Sequence, residues 1–207
     1  MQVEFKDAQR RFGAQIVFDK LNYTFAEGSK TAILGGNGSG KSTLLKCLYG
    51  ALGLSDGKLI YQSNNKELKA QEAVYQISFS GPYFELIEEL PAQEFLETYQ
   101  RFRRLLVEPA EILSYAYLSD SSSKKIKQFS SGMKQRLRLS LALFSASELV
   151  ILDEPTANLD PKGIAWYKEL VSAKLGDRSL VIGSNFSEDE IFHCDENLKV
   201  TDFVKKS

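Results

Sequence analysis

The stretch "KTAILGGNGSGKSTLLKCLYGAL", Lys30 to Leu52, decides the fold. An apolar run, Ala32-Ile33-Leu34, ends in a glycine-rich turn, and the turn opens onto a helix-type pattern at Lys41. Gly35, Gly36, Asn37, Gly38, Ser39, Gly40, Lys41, Ser42 and Thr43 fit the spacing G-x-x-x-x-G-K-[ST] between a strand and a helix. Glycines let the backbone wrap closely around phosphate oxygens, and successive N–H groups then point inward as an anion nest. The helix that follows adds the positive end of its dipole. Lys41 is placed to reach the β- and γ-phosphates, and the Ser42 hydroxyl to ligate Mg²⁺. The stretch reads as a nucleoside triphosphate site on a strand–loop–helix unit.

Two further apolar runs end in polar residues. "ELVILDEPTANLD", Glu148 to Asp160, delivers Asp153 and Glu154 at the end of a buried strand. One carboxylate there can hold the metal ion, and the next can polarise the water that attacks the γ-phosphate. "SLVIGSNFSEDE", Ser179 to Glu190, delivers Asn185 in the same way. Asp160 followed by Pro161 is a helix start, with Ile164, Tyr167, Val171 and Leu175 as the buried stripe and Gly176 as the stop.

Continuous apolar runs, including "AVYQISFS", predict strands covered on both faces, hence an α/β fold whose core sheet is mostly parallel. The first 26 residues, with "QVEF" and "IVFDKLNYTFA", predict an antiparallel β layer. Between about Pro82 and Ser145 helical patterns dominate, with "PAQEFLETYQRFRRLL" and "EPAEILSYAYL" as two helices before "SSGMKQRLRLSLALF". Residues 81–145 therefore read as a helical subdomain inserted into a core of 1–80 and 146–207, all within one domain.

With 207 residues and a net charge of −1, bulk electrostatics argue against a nucleic-acid or anionic-membrane partner. No window reaches the roughly 18 apolar residues of a spanning helix, so a membrane role would come through a partner. Cys47 and Cys194 have no metal spacing, and with no leader legible in "MQVEFKDAQRRF" they read as reduced thiols.

"FSSGMKQRLRLSLAL" resembles the signature motif of ABC transporter ATPases, with Ser130, Ser131, Gly132 and Met133 where that family has Ser-Gly-Gly-Gln. "TANLD" resembles the family's D-loop, ending at Asp160. Phe12 lies 29 residues before Lys41, where the family carries an aromatic that stacks on adenine. The resemblance covers nearly the whole chain and implies a P-loop NTPase fold that binds ATP and Mg²⁺. It also implies a sandwich of two ATPase subunits, identical or different, in which each ATP lies between one phosphate loop and the other subunit's signature. Membrane subunits would dock between core and helical subdomain, against "SGPYFELIEEL", where Tyr83, Phe84, Leu86 and Ile87 are apolar beside Glu85, Glu88 and Glu89. A chain with nothing after "TDFVKKS" is expected as a separate subunit on the cytoplasmic face of the cell membrane. Its size is also similar to that of heme-export ATPases of cytochrome c maturation. A soluble ATP-driven assembly factor and an ATP-gated clamp remain alternatives of the same type.

Three positions depart from the family. The signature has Ser131 for glycine and Met133 for glutamine. The family ends the strand before its helical subdomain with a metal-sensing glutamine; the one glutamine in that region is Gln76, read either in that role or as a strand-face residue. The family's histidine after the carboxylate strand is replaced by Asn185, whose amide can donate to a phosphate oxygen but carries no charge and passes no proton. Catalysis is thus expected from Glu154, aided by Asn185, at a slow rate. His193, the one histidine, is expected away from the site.

Overall fold

The structure is a computed structural model that describes residues 1–82 and 84–204. Two sheets and a set of helices pack in layers. β1 (Gln2–Phe12) and β2 (Gln15–Phe25) are antiparallel, and with β4 (Asp56–Ser63) and β5 (Lys66–Leu68) they form a sheet of order β2-β1-β4-β5. β3 (Lys30–Leu34), β6 (Ile77–Ser80), β7 (Leu149–Asp153), β8 (Ser179–Ser184) and β9 (Glu196–Lys199) form a second sheet of order β6-β7-β8-β3-β9. Every pairing in the second sheet is parallel.

Each face of the parallel sheet covers a different core, because alternate residues of a strand point to opposite sides. Val150, Leu152, Leu180 and Ile182 belong to a cluster shared with the helices. Leu149, Ile151, Val181 and Ile33 belong to a cluster shared with the antiparallel sheet and α1 (Lys41–Leu48). Burial on both sides explains why β7 and β8 are fully buried along their length. All the strands end at the same edge, so every loop that leaves their carboxyl ends meets there.

The hairpin of β4 and β5 is not expected from hydrophobic alternation, since β4 is exposed over its first three residues. Its signal is Asn64-Asn65, both with positive φ (51° and 60°), the two-residue turn that suits hairpin twist. "AVYQISFS" is a strand only from Ile77. Ala70–Ala73 form a short helix, α2, and Val74–Gln76 a 3₁₀ turn, so Gln76 precedes β6.

Between β6 and β7 the described residues form α3 (Ala92–Tyr99), α4 (Pro109–Tyr115), 3₁₀ turns and α5 (Ser131–Phe144). α3 stops well before Leu106. The chain turns at Arg101–Phe102, and Arg103 extends its guanidinium to the carbonyls of Val74 (2.8 Å) and Ile77. α6 (Pro161–Lys174) starts on the expected cap, with the Asp160 carboxylate accepting from Gly163 N–H at 2.7 Å. Tyr167, Val171 and Leu175 are buried as expected; Trp166 and Leu170 widen the stripe, and Ile164 is half-buried. No helix among the described residues is long and apolar enough to cross a membrane.

Arg178 closes two helix ends at once. Its guanidinium donates to Leu143 O (2.8 Å) and Ser145 O (3.2 Å) after α5, and to Leu175 O (2.9 Å) and Lys174 O at the end of α6. Carbonyls left over at a helix C-terminus need such donors, and a cation there also suits the dipole. Arg178→Met is therefore expected to cost about 2–3 kcal/mol, measured by urea unfolding followed through the fluorescence of Trp166, the one tryptophan.

Candidate nucleotide site

The phosphate loop runs from the end of β3 to the start of α1. Gly40 is the N-cap of α1 with φ +97°, and a Cβ there would lie 2.6 Å from Val17 Cγ1. Glycine is required twice over, by the left-handed backbone and by the approach of β2. Asn37, Gly38, Ser39, Gly40, Lys41, Ser42 and Thr43 line an open cleft of about 830 Å³. Gly35 and Gly36 lie beneath it, and their carbonyls accept from Lys41 Nζ at 2.7 and 3.3 Å. Lys41 is 4% exposed, and its Nζ is also 3.8 Å from Glu154 Oε1. The ammonium is thus held in the nest by oxygens that a phosphate can replace.

Asp153 ends β7 and is 1% exposed. Burial holds its carboxyl above the ordinary value, and Glu154 and Glu190 push the same way; the Ser42 hydroxyl and Lys41 oppose them. Its Oδ1 has no hydrogen-bond partner, and neither has the buried Oγ of Ser39 or of Ser80. Buried polar atoms are rarely left so, and these three lie at the carboxyl ends of β6 and β7 and in the loop itself. No group of three or more metal-binding side chains occurs among the described residues. One buried carboxylate with one adjacent hydroxyl is instead a fitting donor set for Mg²⁺, which takes few protein ligands and completes its shell with water and phosphate.

Glu154 has φ +49°, an uncommon conformation for a side-chain-bearing residue. The backbone is held there by its own N–H, which donates to Gly183 O at 2.9 Å. The carboxylate lines the cleft, so it stands beside the phosphate loop. Asn185 follows β8 immediately and is exposed. The register Leu34↔Ser184 and the bond Gly35 N–H to Ser184 O (3.2 Å) set it beside the start of the phosphate loop. His193 lies elsewhere, with Nε2 3.0 Å from Ser172 Oγ; burial, then Lys30, lowers its pKa.

Gln76 does not reach this edge. Its carbonyl accepts from Glu148 N–H at 2.9 Å, ahead of β7, so it stands at the amino end of the sheet. Asp153 lies five residue steps further along the strand, about 16 Å at the usual rise. The residue that ends β6 at the site is Ser80.

Phe12 lines the outer end of the cleft and is 48% exposed. The Arg10 guanidinium lies 4.3 Å from the ring centroid and is anchored on Gly53 O at 2.9 Å. Gln15, Ile16 and Val17 of the β1–β2 hairpin, Pro82, and Thr201 and Val204 complete the lining. None of these six was legible, because a cleft wall made from chain ends far apart in sequence has no local pattern.

Ser130, Ser131, Gly132 and Met133 are absent from the lining. Ser130 caps α5, its Oγ accepting from Met133 N–H at 3.2 Å, and Ser130 and Ser131 are exposed. A Cβ on Gly132 would lie 3.1 Å from Asn158 O, so this helix start packs against the loop before Asp160. Gln135, one turn on, donates to Pro155 O at 3.0 Å. Tyr83 lies outside the described residues. Of its neighbours, Leu86 is buried and Phe84 packs against the helical core, while Ile87 is 52% exposed and the exposed Glu88 and Glu89 pair with Lys134 and Lys127.

Residues 18–157 match a family described as ABC transporter. The chain is 30% identical to the daunorubicin resistance ATP-binding protein DrrA3 of Streptomyces coeruleorubidus, over 94% of this chain and 63% of that protein. It is 29% identical to an uncharacterized ABC transporter ATP-binding protein, YybJ, of Bacillus subtilis (strain 168), over 96% of this chain and 92% of that one. Among solved structures, an ABC transporter ATP-binding protein from Pyrococcus furiosus superimposes with a TM-score of 0.80 at 21% identity, over 99% of this chain and 100% of that one. A dimeric ATP-binding cassette in a post-hydrolysis state, bound to ADP and phosphate, gives a TM-score of 0.80 at 23% identity, over 95% of this chain and 93% of that one. The structural likenesses are of fold. The phosphate loop, the paired carboxylates and the helix-capping "SSGM" thus sit on a shared architecture, and the chain belongs to the ABC transporter family, among its ATP-binding proteins.

Proposed function

We propose that this chain binds ATP with Mg²⁺ at the phosphate loop and pairs with a second ATP-binding subunit across two nucleotides. It hydrolyses ATP to ADP and phosphate and drives the integral membrane subunits of a transporter from the cytoplasmic face. The observation that carries this reading is the separation of the two halves of the site. The capped start of α5 is exposed and takes no part in the chain's own cleft. Its free N–H groups, the Ser130 hydroxyl and the positive helix end suit an anion supplied by another chain.

In this reading Lys41 leaves the carbonyls of Gly35 and Gly36 for the β- and γ-phosphates, and loop N–H groups from Asn37 to Thr43 receive phosphate oxygens. Ser42 and Asp153 hold Mg²⁺, which supplies charge neutralisation at the phosphates when bound. Ser80, at the strand end the family fills with glutamine, is the residue of this chain that faces the same edge; its short hydroxyl would act through water. Glu154 orients and polarises the attacking water. Asn185 donates its amide N–H to the γ-phosphate, without the charge or proton transfer of a histidine. Phe12 stacks on the base with Arg10 behind it, and Thr201 and Val204 close the opposite side. Asp160 holds the D-loop at the start of α6, between the carboxylates and the signature.

The core, 1–80 and 146–207, and the helical subdomain, 81–145, act as one unit between nucleotide and membrane partner. Val74 (39% exposed), Tyr75 (65%) and Phe102 (75%) are large apolar side chains on their meeting line, gathered by Arg103. They present more exposed apolar surface than "SGPYFELIEEL", where among the described residues Ile87 is exposed and Phe84 and Leu86 pack inward.

Three measurements test the reading. Phosphate release should fall by about 10²-fold or more in Glu154→Gln, while Asn185→His should raise it at least tenfold above a slow wild type; a brisk wild type that Asn185→His does not quicken removes the slow-hydrolysis idea. Asp153→Asn bears on the metal. Its raised carboxyl pKa means that the ionised form costs stability above that pKa and the protonated form does not. Asp153→Asn should therefore melt above wild type without nucleotide at neutral pH, the gap closing as pH falls. The same variant should lose the extra melting shift that Mg²⁺ adds to ATP. Lastly, Tyr75→Glu with Phe102→Glu should abolish co-purification with membrane subunits while leaving ATP turnover of the isolated chain within about twofold.

A further inference from the structure

Glu190 is a buried carboxylate to which the chemistry above assigns no task. It lies on the short helix α7 (Glu188–Ile191) and is 5% exposed. Its Oε1 accepts from the Thr156 hydroxyl at 2.8 Å and from the Thr156 N–H at 3.3 Å, and its Oε2 accepts from the Ser184 hydroxyl. The Ser184 oxygen in turn accepts from Ser187 N–H at 3.1 Å. Tyr167 donates its hydroxyl to Glu190 O at 3.0 Å, which fixes the helix that carries the carboxylate.

The partners matter more than the burial. Thr156 is two residues beyond Glu154, and Ser184 immediately precedes Asn185. One side chain therefore spans the loop after β7 and the end of β8, the two segments that bring the reacting groups to the nucleotide. From the other side, Gln135 of α5 holds Pro155 O at 3.0 Å. The Pro155–Thr156 peptide is gripped on both flanks, and Glu154 next to it keeps a φ of +49°. Such a conformation persists where its surroundings over-determine it.

A charge buried for stability alone is a poor device, since apolar replacement is often neutral or favourable. A carboxylate that accepts three hydrogen bonds from a loop and a strand end fixes their spacing through directional bonds. We infer that Glu190 is a positioning residue, a carboxylate staple that sets Glu154 and Asn185 at their mutual distance without touching nucleotide. The inference rests on the hydrolytic reading for its consequence and on geometry for the staple itself.

The test uses the full chain with Glu190→Ala, Glu190→Gln, Thr156→Val and Thr156→Ser, each first checked for a cooperative melt. Thr156→Val, which keeps shape and deletes the hydroxyl, should lower kcat about tenfold with KM for ATP within about twofold. Thr156→Ser should restore most of that loss, and Glu190→Gln should fall between wild type and Glu190→Ala. A folded Thr156→Val or Glu190→Ala with wild-type kcat, or with a raised KM and unchanged kcat, overturns the inference. Hydrogen exchange at the Thr156 and Ser187 amides reads the staple apart from turnover: Glu190→Ala should speed both at least tenfold and leave β7 unchanged. If wild type shows no ATP turnover, the hydrolytic reading fails, and exchange alone decides the staple; unaltered protection overturns it.

Discussion

Gly183 is the constraint on which the rest of the site depends. It pairs with Asp153 across β7 and β8 and with Ile33 across β3 and β8. A Cβ at this position would lie 2.6 Å from Asp153 Oδ1 and 2.8 Å from Leu45 Cδ1. The absence of a side chain lets a buried carboxylate, the first helix and the central strand come together at one level. Gly183 O also receives the Glu154 N–H, and Ser184 O receives the Gly35 N–H. A slip of one residue in either pairing would turn alternate side chains to the wrong face and separate these groups. The register is secure because both faces of β8 are buried, against different cores.

That security permits a site that is poor for stability. Asp153 is buried with an unpartnered oxygen, Glu154 is in a left-handed conformation, and Ser39 and Ser80 have unpaired hydroxyls. Each feature costs free energy in the nucleotide-free chain, and none lies within the two apolar clusters that hold the layers together. These four features gather at the edge where the parallel strands end, the edge at which open parallel sheets bind ligands.

Much of this edge is legible in sequence, and the reason is physical. The phosphate loop, β7 and β8 are continuous apolar runs that stop at glycine, carboxylate or amide, and those patterns arise because both faces are covered. The cap at Asp160 is legible because it is local. What escapes has no local pattern. The β4–β5 hairpin is half exposed, so its only strong signal is Asn64-Asn65. Residue type alone points to Gln76, while its place at the amino end of β6 depends on a 3₁₀ turn that the apolar spacing of "AVYQISFS" conceals. Glu190 sits in the acidic run "SEDE", which reads as a solvated face; only the fold turns its side chain onto Thr156 and Ser184. Thr201 and Val204 reach the cleft from beyond β9, some 160 residues from the loop they face.

The arrangement also separates two properties that a single motif would tie together. Groups proposed to grip phosphates stand on the loop after β3 and on α1, with Asp153 beside them. Groups proposed to drive hydrolysis stand on the loop after β7 and at the end of β8, joined by Glu190 and braced by Gln135 of α5. In the proposed reading, asparagine in place of histidine at residue 185 alters the second set, whereas the Lys41 ammonium is held separately by Gly35 O and Gly36 O. Nucleotide affinity can therefore be retained while the rate falls. The brace through Gln135 adds a further link, since the helix that starts at Ser130 is the one that holds Pro155. The helix proposed to meet a second subunit at its exposed start is therefore also bonded to the Pro155–Thr156 peptide next to Glu154.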